Sequence, residues 1–394
     1  MPGKGFSLGV IALAQVLALS VWFAGAAALP ALQAEAGLPR AAAAALSSAV
    51  QIGFVIGALI SAAFALPDRF DARRVFAAGA LIAALASLTA ISAEPGSVAM
   101  IAARAVAGAG LALVYPVGMK LAASWADGDA GLLVGLLVGA LTLGSAAPHL
   151  AAPLLETLSW RAPFLLSAGA ALAASILIFA SGAGPAFTRA PAFRPGAAFA
   201  ALKRKDLALI NLGYLGHMWE LYAMWAWTGA FIAAWRASRG LETGAETGLF
   251  TFAIVAVGAA GALGAGWIAD RAGRAVTAGT ALAIGGMCAL ATPVAWAGPG
   301  WLLGAVLLVY GITVIADSAQ FSAALAERAP KDLAGSLLTL QTATGFALTA
   351  VSVQLAPLWA EAIGWRFVFV PLVIGPVIGV AALAAYRRME MRGG

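Results

Sequence analysis

Charge is what this sequence has least of. Asp, Glu, Lys and Arg make up 10% of its 394 residues, against about 25% in soluble domains, while 62% are hydrophobic and the mean hydropathy is +0.95. Water cannot be the main solvent of such a chain, which excludes an ordinary soluble enzyme or binding module. Cysteine is almost absent as well: Cys288 stands alone, so neither an intrachain disulfide nor a multi-cysteine metal centre can form. Histidine occurs only at 149 and 217. His217 and Glu220 have no second histidine–carboxylate pair to complete a dinuclear site, and no serine-centred nucleophile motif sits in a loop. No catalytic residue, metal site or cofactor is therefore expected.

Long apolar runs take the place of charge. Stretches near the roughly 20 residues needed to cross a bilayer recur at about 7–30, 45–66, 75–93, 97–119, 131–154, 162–182, 207–233, 247–268, 276–296, 301–325, 334–358 and 366–386, which makes twelve spans. The 46 glycines are frequent inside them, as in membrane helices that pack through small residues. Lys4 and Ala24-Gly25-Ala26 give the first run some likeness to a cleaved signal peptide. Removing it would spoil a regular alternation of charge. With the N-terminus cytoplasmic, inside segments carry 17 basic residues, Arg189 and Arg392 among them, and outside segments carry 5, namely Arg40, Arg161, Arg236, Arg239 and Arg366. That bias sets both termini inside a bacterial inner membrane. The basic residues need no nucleic-acid partner to explain them.

The longest polar segment, 183–206, holds Pro185, Pro191, Pro195 and Lys203-Arg204-Lys205 and reads as a cytoplasmic linker. Features on either side of it repeat about two hundred residues apart, the mark of parallel repeats. Ser159-Trp160-Arg161 matches Gly364-Trp365-Arg366, and Asp68-Arg69 matches Asp270-Arg271. The segment Gly266-Trp267-Ile268-Ala269-Asp270-Arg271-Ala272-Gly273-Arg274 resembles the cytoplasmic loop signature of the major facilitator superfamily. Its counterpart at 64–74 keeps Asp68 and Arg69 but loses both glycines. Arg104 followed by Gly108 and Gly110 resembles the family's fourth-helix motif.

The resemblance implies an all-α membrane protein of twelve transmembrane helices in two pseudo-symmetric six-helix bundles, 1–182 and 207–394, joined by the linker 183–206. It implies a secondary active transporter working by alternating access as a functional monomer in a lipid bilayer, with Asp68, Arg69, Asp270, Arg271 and Arg274 in a gating charge network. Proton-coupled uptake of a small solute is the expectation; proton-driven efflux of hydrophobic compounds is the alternative. The exporters' fifth-helix glycine signature ends in Gly-Pro, whereas here Gly135, Gly139 and Gly144 lead to Ala147-Pro148-His149.

Ionisable groups deep in a span cost about 2.5–3.5 kcal/mol each on insertion scales and usually face the bundle interior. Those present are Arg104, His149, His217, Glu220 and Asp317, while Lys120 lies near a helix end and reads as a snorkelling anchor. In the seventh span His217, Glu220, Met224 and Thr228 share a stripe. A carboxyl and an imidazole one turn apart can exchange a proton or hold a structural hydrogen bond. Glu220 is the first candidate for the transported proton, His217 its partner and Asp317 the next. Trp219, Tyr222, Trp225 and Trp227 surround the stripe as a solute platform, with an interfacial belt as the other reading for Trp225 and Trp227. Solute contacts are expected from Arg104, Gln15, Trp22, Gln51, Tyr115, His149, Tyr214, Tyr222, Met224, Gln341 and Gln354. Arg104 suits an anion and Glu220 among aromatics a cation, so the solute's charge stays open.

Overall fold

A computed structural model describes residues 2–127, 129–151, 160–187 and 192–393. Ser159, Arg189 and Pro191, used above for the repeat, the charge bias and the linker, lie outside them, as do the side chains of Arg40 and Arg392. The described residues form helices and turns and no strand. A bilayer core offers no water to unpaired backbone groups, so an apolar segment satisfies them within its own helix.

Twelve long helices result: α1 (Lys4–Ala36), α2 (Ala41–Ala63), α3 (Ala72–Ser92), α4 (Val98–Ala123), α5 (Gly131–Leu150), α6 (Arg161–Ala180), α7 (Lys205–Ser238), α8 (Ala245–Ala272), α9 (Arg274–Ala297), α10 (Gly300–Arg328), α11 (Ala334–Ile363) and α12 (Trp365–Met391). Among the described residues, eleven of these are long and apolar enough to cross a membrane by length and composition. The twelfth, α7, has 34 residues and a reach of roughly 51 Å against a hydrocarbon core of about 30 Å. Its composition is more polar because His217 and Glu220 are buried against protein instead of facing lipid.

α1–α6 pack into one bundle and α7–α12 into another, and the two meet where α2 lies along α11 and α5 along α8. The glycines after Arg104 explain one close packing within the first bundle. A Cβ on Gly108 would stand 2.0 Å from the Val50 carbonyl oxygen of α2, and one on Gly110 would stand 2.6 Å from the Gly79 carbonyl oxygen of α3. Only glycine lets α4 approach both backbones. The matching Trp160-Arg161 and Trp365-Arg366 pairs sit at equivalent places, where α6 and α12 begin.

Several helices are interrupted near mid-span. α1 breaks at Ser20–Phe23 and α4 at 112–114, just ahead of Pro116, whose missing N–H cannot continue the ladder. α10 breaks at Asp317. Below, the bundle end that carries Asp68 and Asp270 is called the Asp270 end.

Candidate functional site

At the break in α1 the Trp22 carbonyl loses its helical donor and the Val21 carbonyl keeps only a 3.4 Å bond from Ala24 N. Arg104 of α4 supplies replacements: Nη1 donates to Val21 O at 3.0 Å and Nη2 to Trp22 O at 2.7 Å, while Ser167 Oγ donates to Ser20 O at 3.0 Å. The guanidinium is 1% exposed and lies 5.6 Å from the Phe164 ring. Both terminal guanidinium nitrogens of Arg104, expected to contact the solute, are thus engaged with backbone inside the first bundle, and its Nε is buried without a partner. Bonds to a charged group, about 1.5–3 kcal/mol each, offset the cost of burying it.

The same break presents Trp22 and Phe23 to the other bundle. Trp22 packs on Phe54 of α2 at 4.9 Å, Phe346 of α11 at 5.2 Å and Tyr222 of α7 at 5.5 Å, and Phe54 meets Phe346 at 4.4 Å. Phe23 reaches Trp225 at 5.9 Å. Four helices from two bundles thus close on one aromatic cluster. Trp225 and Trp227 are buried, which overturns the belt reading, and the Trp227 indole donates to Val353 O at 3.0 Å. Near the same junction Gln354 of α11 donates to Ser48 Oγ of α2 at 2.6 Å, so Gln354 ties the bundles together and is not turned toward a solute.

On the Asp270 side of this cluster lies a central cavity of about 60 Å³, bounded by Tyr115 and Val138 of the first bundle and by Tyr214, Tyr222, Ser318 and Thr342 of the second. Thr342 also borders a larger cavity of about 350 Å³ at the Asp270 end, between α2, α4 and α11, which Asp68, Lys120 and Phe193 help to enclose. Tyr115, Tyr214 and Tyr222, all expected from the sequence as solute contacts, line this one central cavity. Phe54 and Phe346 carry no chemical signal and were missed.

The buried acids sit to one side of this cavity, within the second bundle. His217 Nδ1 lies 2.8 Å from Asp317 Oδ1, each side chain 1% exposed. Glu220 faces the Tyr310 hydroxyl of α10. Space for its carboxylate comes from α9, where a Cβ on Gly285 would stand 3.3 Å from both Glu220 oxygens. His217 and Glu220 do share a helix stripe, but the imidazole's close partner is Asp317, not Glu220. Interhelical geometry decides this, and nothing in helical spacing could have shown it.

The other expected solute contacts are spread out. Gln15 donates to Leu137 O at 3.3 Å and fills space against Gly118 inside the first bundle. Gln51, with its amide nitrogen turned inward, donates to Ser47 O at 2.7 Å and Ser48 O at 3.1 Å of its own helix. Gln341 receives the Ser322 hydroxyl at 3.4 Å beside the central cavity. Met224 is buried and meets Thr228 Oγ1. His149 approaches Gly229 of α7, where a Cβ would stand 3.9 Å from its ring, and borders a cavity of about 480 Å³ at the opposite end, between α1, α5, α7 and α8.

At the Asp270 end, Asp68 forms an ion pair with Lys120 of α4, so Lys120 is a partner and not merely an anchor. Asp71 caps α3 through Arg73 N, and its hydrogen bonds with Arg73 hold its carboxyl below the usual range. Arg69 is exposed. Asp270 approaches the start of α5 in the other bundle, since a Cβ on Gly131 would stand 3.7 Å and 3.8 Å from its oxygens; a carboxylate there meets the positive end of the helix dipole. Arg271 stacks 3.9 Å from the Trp267 ring. Arg274 donates to Glu327 Oε1 at 2.7 Å and Gln320 Oε1 at 3.2 Å, linking α9 to α10.

Comparison with known proteins agrees with this architecture. A solved structure of a mutant of the nucleoside transporter NupG superposes with a TM-score of 0.72 over 98% of this chain and 100% of that one, at 14% identity, which shows a shared fold. No curated protein matches the sequence. Residues 11–353 match the Major Facilitator Superfamily, and the chain belongs to that family of membrane transporters.

Proposed function

We propose that the protein is a proton-coupled secondary transporter taking up a small solute by alternating access, with the solute bound in the central cavity and the proton carried by Glu220, Asp317 and His217. One observation carries the reading: Tyr222 and Phe346 of the aromatic cluster that joins the two bundles also line the central cavity, and Thr342 of that cavity borders the cavity of about 350 Å³ at the Asp270 end. Ligand pockets usually exceed about 300 Å³, so a 60 Å³ cavity belongs to a closed state that must open to admit solute. Bundles 1–182 and 207–394 would rock about this centre, with 183–206 as the hinge-side linker. The Asp270 end is then cytoplasmic, in a bacterial inner membrane, and the monomer is the working unit.

Glu220, Asp317 and His217 are buried carboxyl and imidazole groups of α7 and α10 near this centre, and buried acids in membrane helices commonly serve proton relays. Gating falls to Asp270 at the α5 terminus and to the Asp68 pair with Lys120. The test is uptake into proteoliposomes under an imposed pH gradient, with a panel of labelled solutes that includes nucleosides, the class in the structural neighbour's name. Glu220→Gln is expected to abolish gradient-driven accumulation while keeping solute exchange. Equal responses of wild type and variant to the gradient would make Glu220 structural.

A further inference from the structure

α7 and α10 each carry two separate sets of polar groups. At 100° per residue, Tyr310, Thr313, Asp317, Gln320 and Glu327 of α10 fall within an arc of about 100°. Ser318 and Ser322, which border the central cavity, fall on another face of the same helix. α7 behaves likewise. Tyr214, Met218 and Tyr222 line the cavity, whereas His217 and Glu220 are turned from it toward Asp317, Tyr310 and Gly285. The acids and the solute cavity therefore occupy different faces of the same two helices.

The acid-bearing arc of α10 also grades from sealed to wet. Tyr310, Asp317 and Gln320 are buried, at 0%, 1% and 2% exposure, while the Glu327 side chain is 56% exposed at the Asp270 end. Arg274 of α9 spans the transition, holding Glu327 with one nitrogen and Gln320 with another. Inside this point Asp317 Oδ2 and His217 Nε2 are buried without a hydrogen-bond partner. The charged and titratable groups facing the cluster are Tyr214, His217 and Glu220 from α7, Arg274 and Cys288 from α9, and Tyr310, Asp317 and Glu327 from α10. At the same end of α12, Glu390 is engaged by Arg328.

We infer that protons reach Asp317, His217 and Glu220 by a route of their own inside the second bundle, between α9 and α10 past Gln320, and not through the solute cavity. Arg274 and Glu327 form its mouth. Gln320 lies one turn from Asp317, and the route needs water to bridge the two side chains. Proton and solute then communicate mechanically. Tyr214 borders the cavity and lies 6.0 Å from the His217 ring, and the α10 break puts Asp317 next to the cavity residue Ser318.

The inference rests on the coupling reading above, and one experiment separates them. In the full-length protein reconstituted in lipid at acid pH, infrared spectra give a protonated-carboxyl band, the part lost in Glu220→Gln being that of Glu220. The time course of its isotope shift after a switch to D2O reports solvent access. The route predicts a severalfold slower shift in Gln320→Leu and an unchanged one in the cavity-wall variant Ser318→Ala/Ser322→Ala. An unchanged shift in Gln320→Leu, or a slowed one in the serine variant alone, overturns the route. Failure of the coupling reading shows elsewhere, as gradient-driven accumulation that survives Glu220→Gln.

Discussion

Arg104 shows how a residue's identity can be read while its task is not. A lone arginine in a membrane helix suggests an anion site, yet the two carbonyls it binds are exposed only because α1 unwinds eighty residues earlier in the chain. Arg104→Ala is expected to lower stability by about 3–6 kcal/mol, two bonds to a charged group at about 1.5–3 kcal/mol each, as read from thermal unfolding in detergent. Arg104→Lys keeps one donor to these carbonyls and should lose about half as much. A variant that altered solute affinity with unchanged unfolding would return Arg104 to the binding site. Glu220 is the opposite case: the cost of burying a carboxylate marked it from the sequence alone, and the structure adds the Gly285 gap and the Tyr310 hydroxyl that accommodate it.

At the scale of elements, the twelve helices are legible because their apolar runs match the bilayer thickness. The interruptions in them are only partly so. Pro116 announces the α4 break, but Ser20–Phe23 contains neither proline nor glycine, and its non-helical backbone is held by Arg104 and Ser167 from other helices. The contact between α5 and α8 gives a prediction at this scale. Asp270 stands exposed at the α5 N-terminus, where a surface charge contributes about 0.3–1 kcal/mol. Asp270→Asn should release that hold and reduce transport turnover by up to about an order of magnitude with solute binding little changed, as measured by comparing initial rates with equilibrium binding. An unaltered rate would remove Asp270 from gating.

The proposed orientation of the whole molecule rests on the basic residues at its two ends. With Cys288 replaced by Ala, a thiol at position 192 (Ala192→Cys) should react with an impermeant reagent only after cells are opened. Ready labelling of intact cells would invert the topology and with it the assignment of the Asp270 end to the cytoplasm.

The sequence by itself determined the membrane environment, the number and order of the spans, the repeated halves and the family, because each depends on hydropathy, charge bias and local motifs that act within one segment. It also singled out Tyr115, Tyr214, Tyr222, His217, Glu220 and Asp317. Tertiary structure alone decided which of these meet. The 2.8 Å approach of His217 to Asp317 joins residues a hundred positions apart, and the aromatic cluster draws single side chains from four helices. Helical spacing fixes which residues share a face, but the direction in which that face points is set by how neighbouring helices pack, and that separates the acids from the cavity.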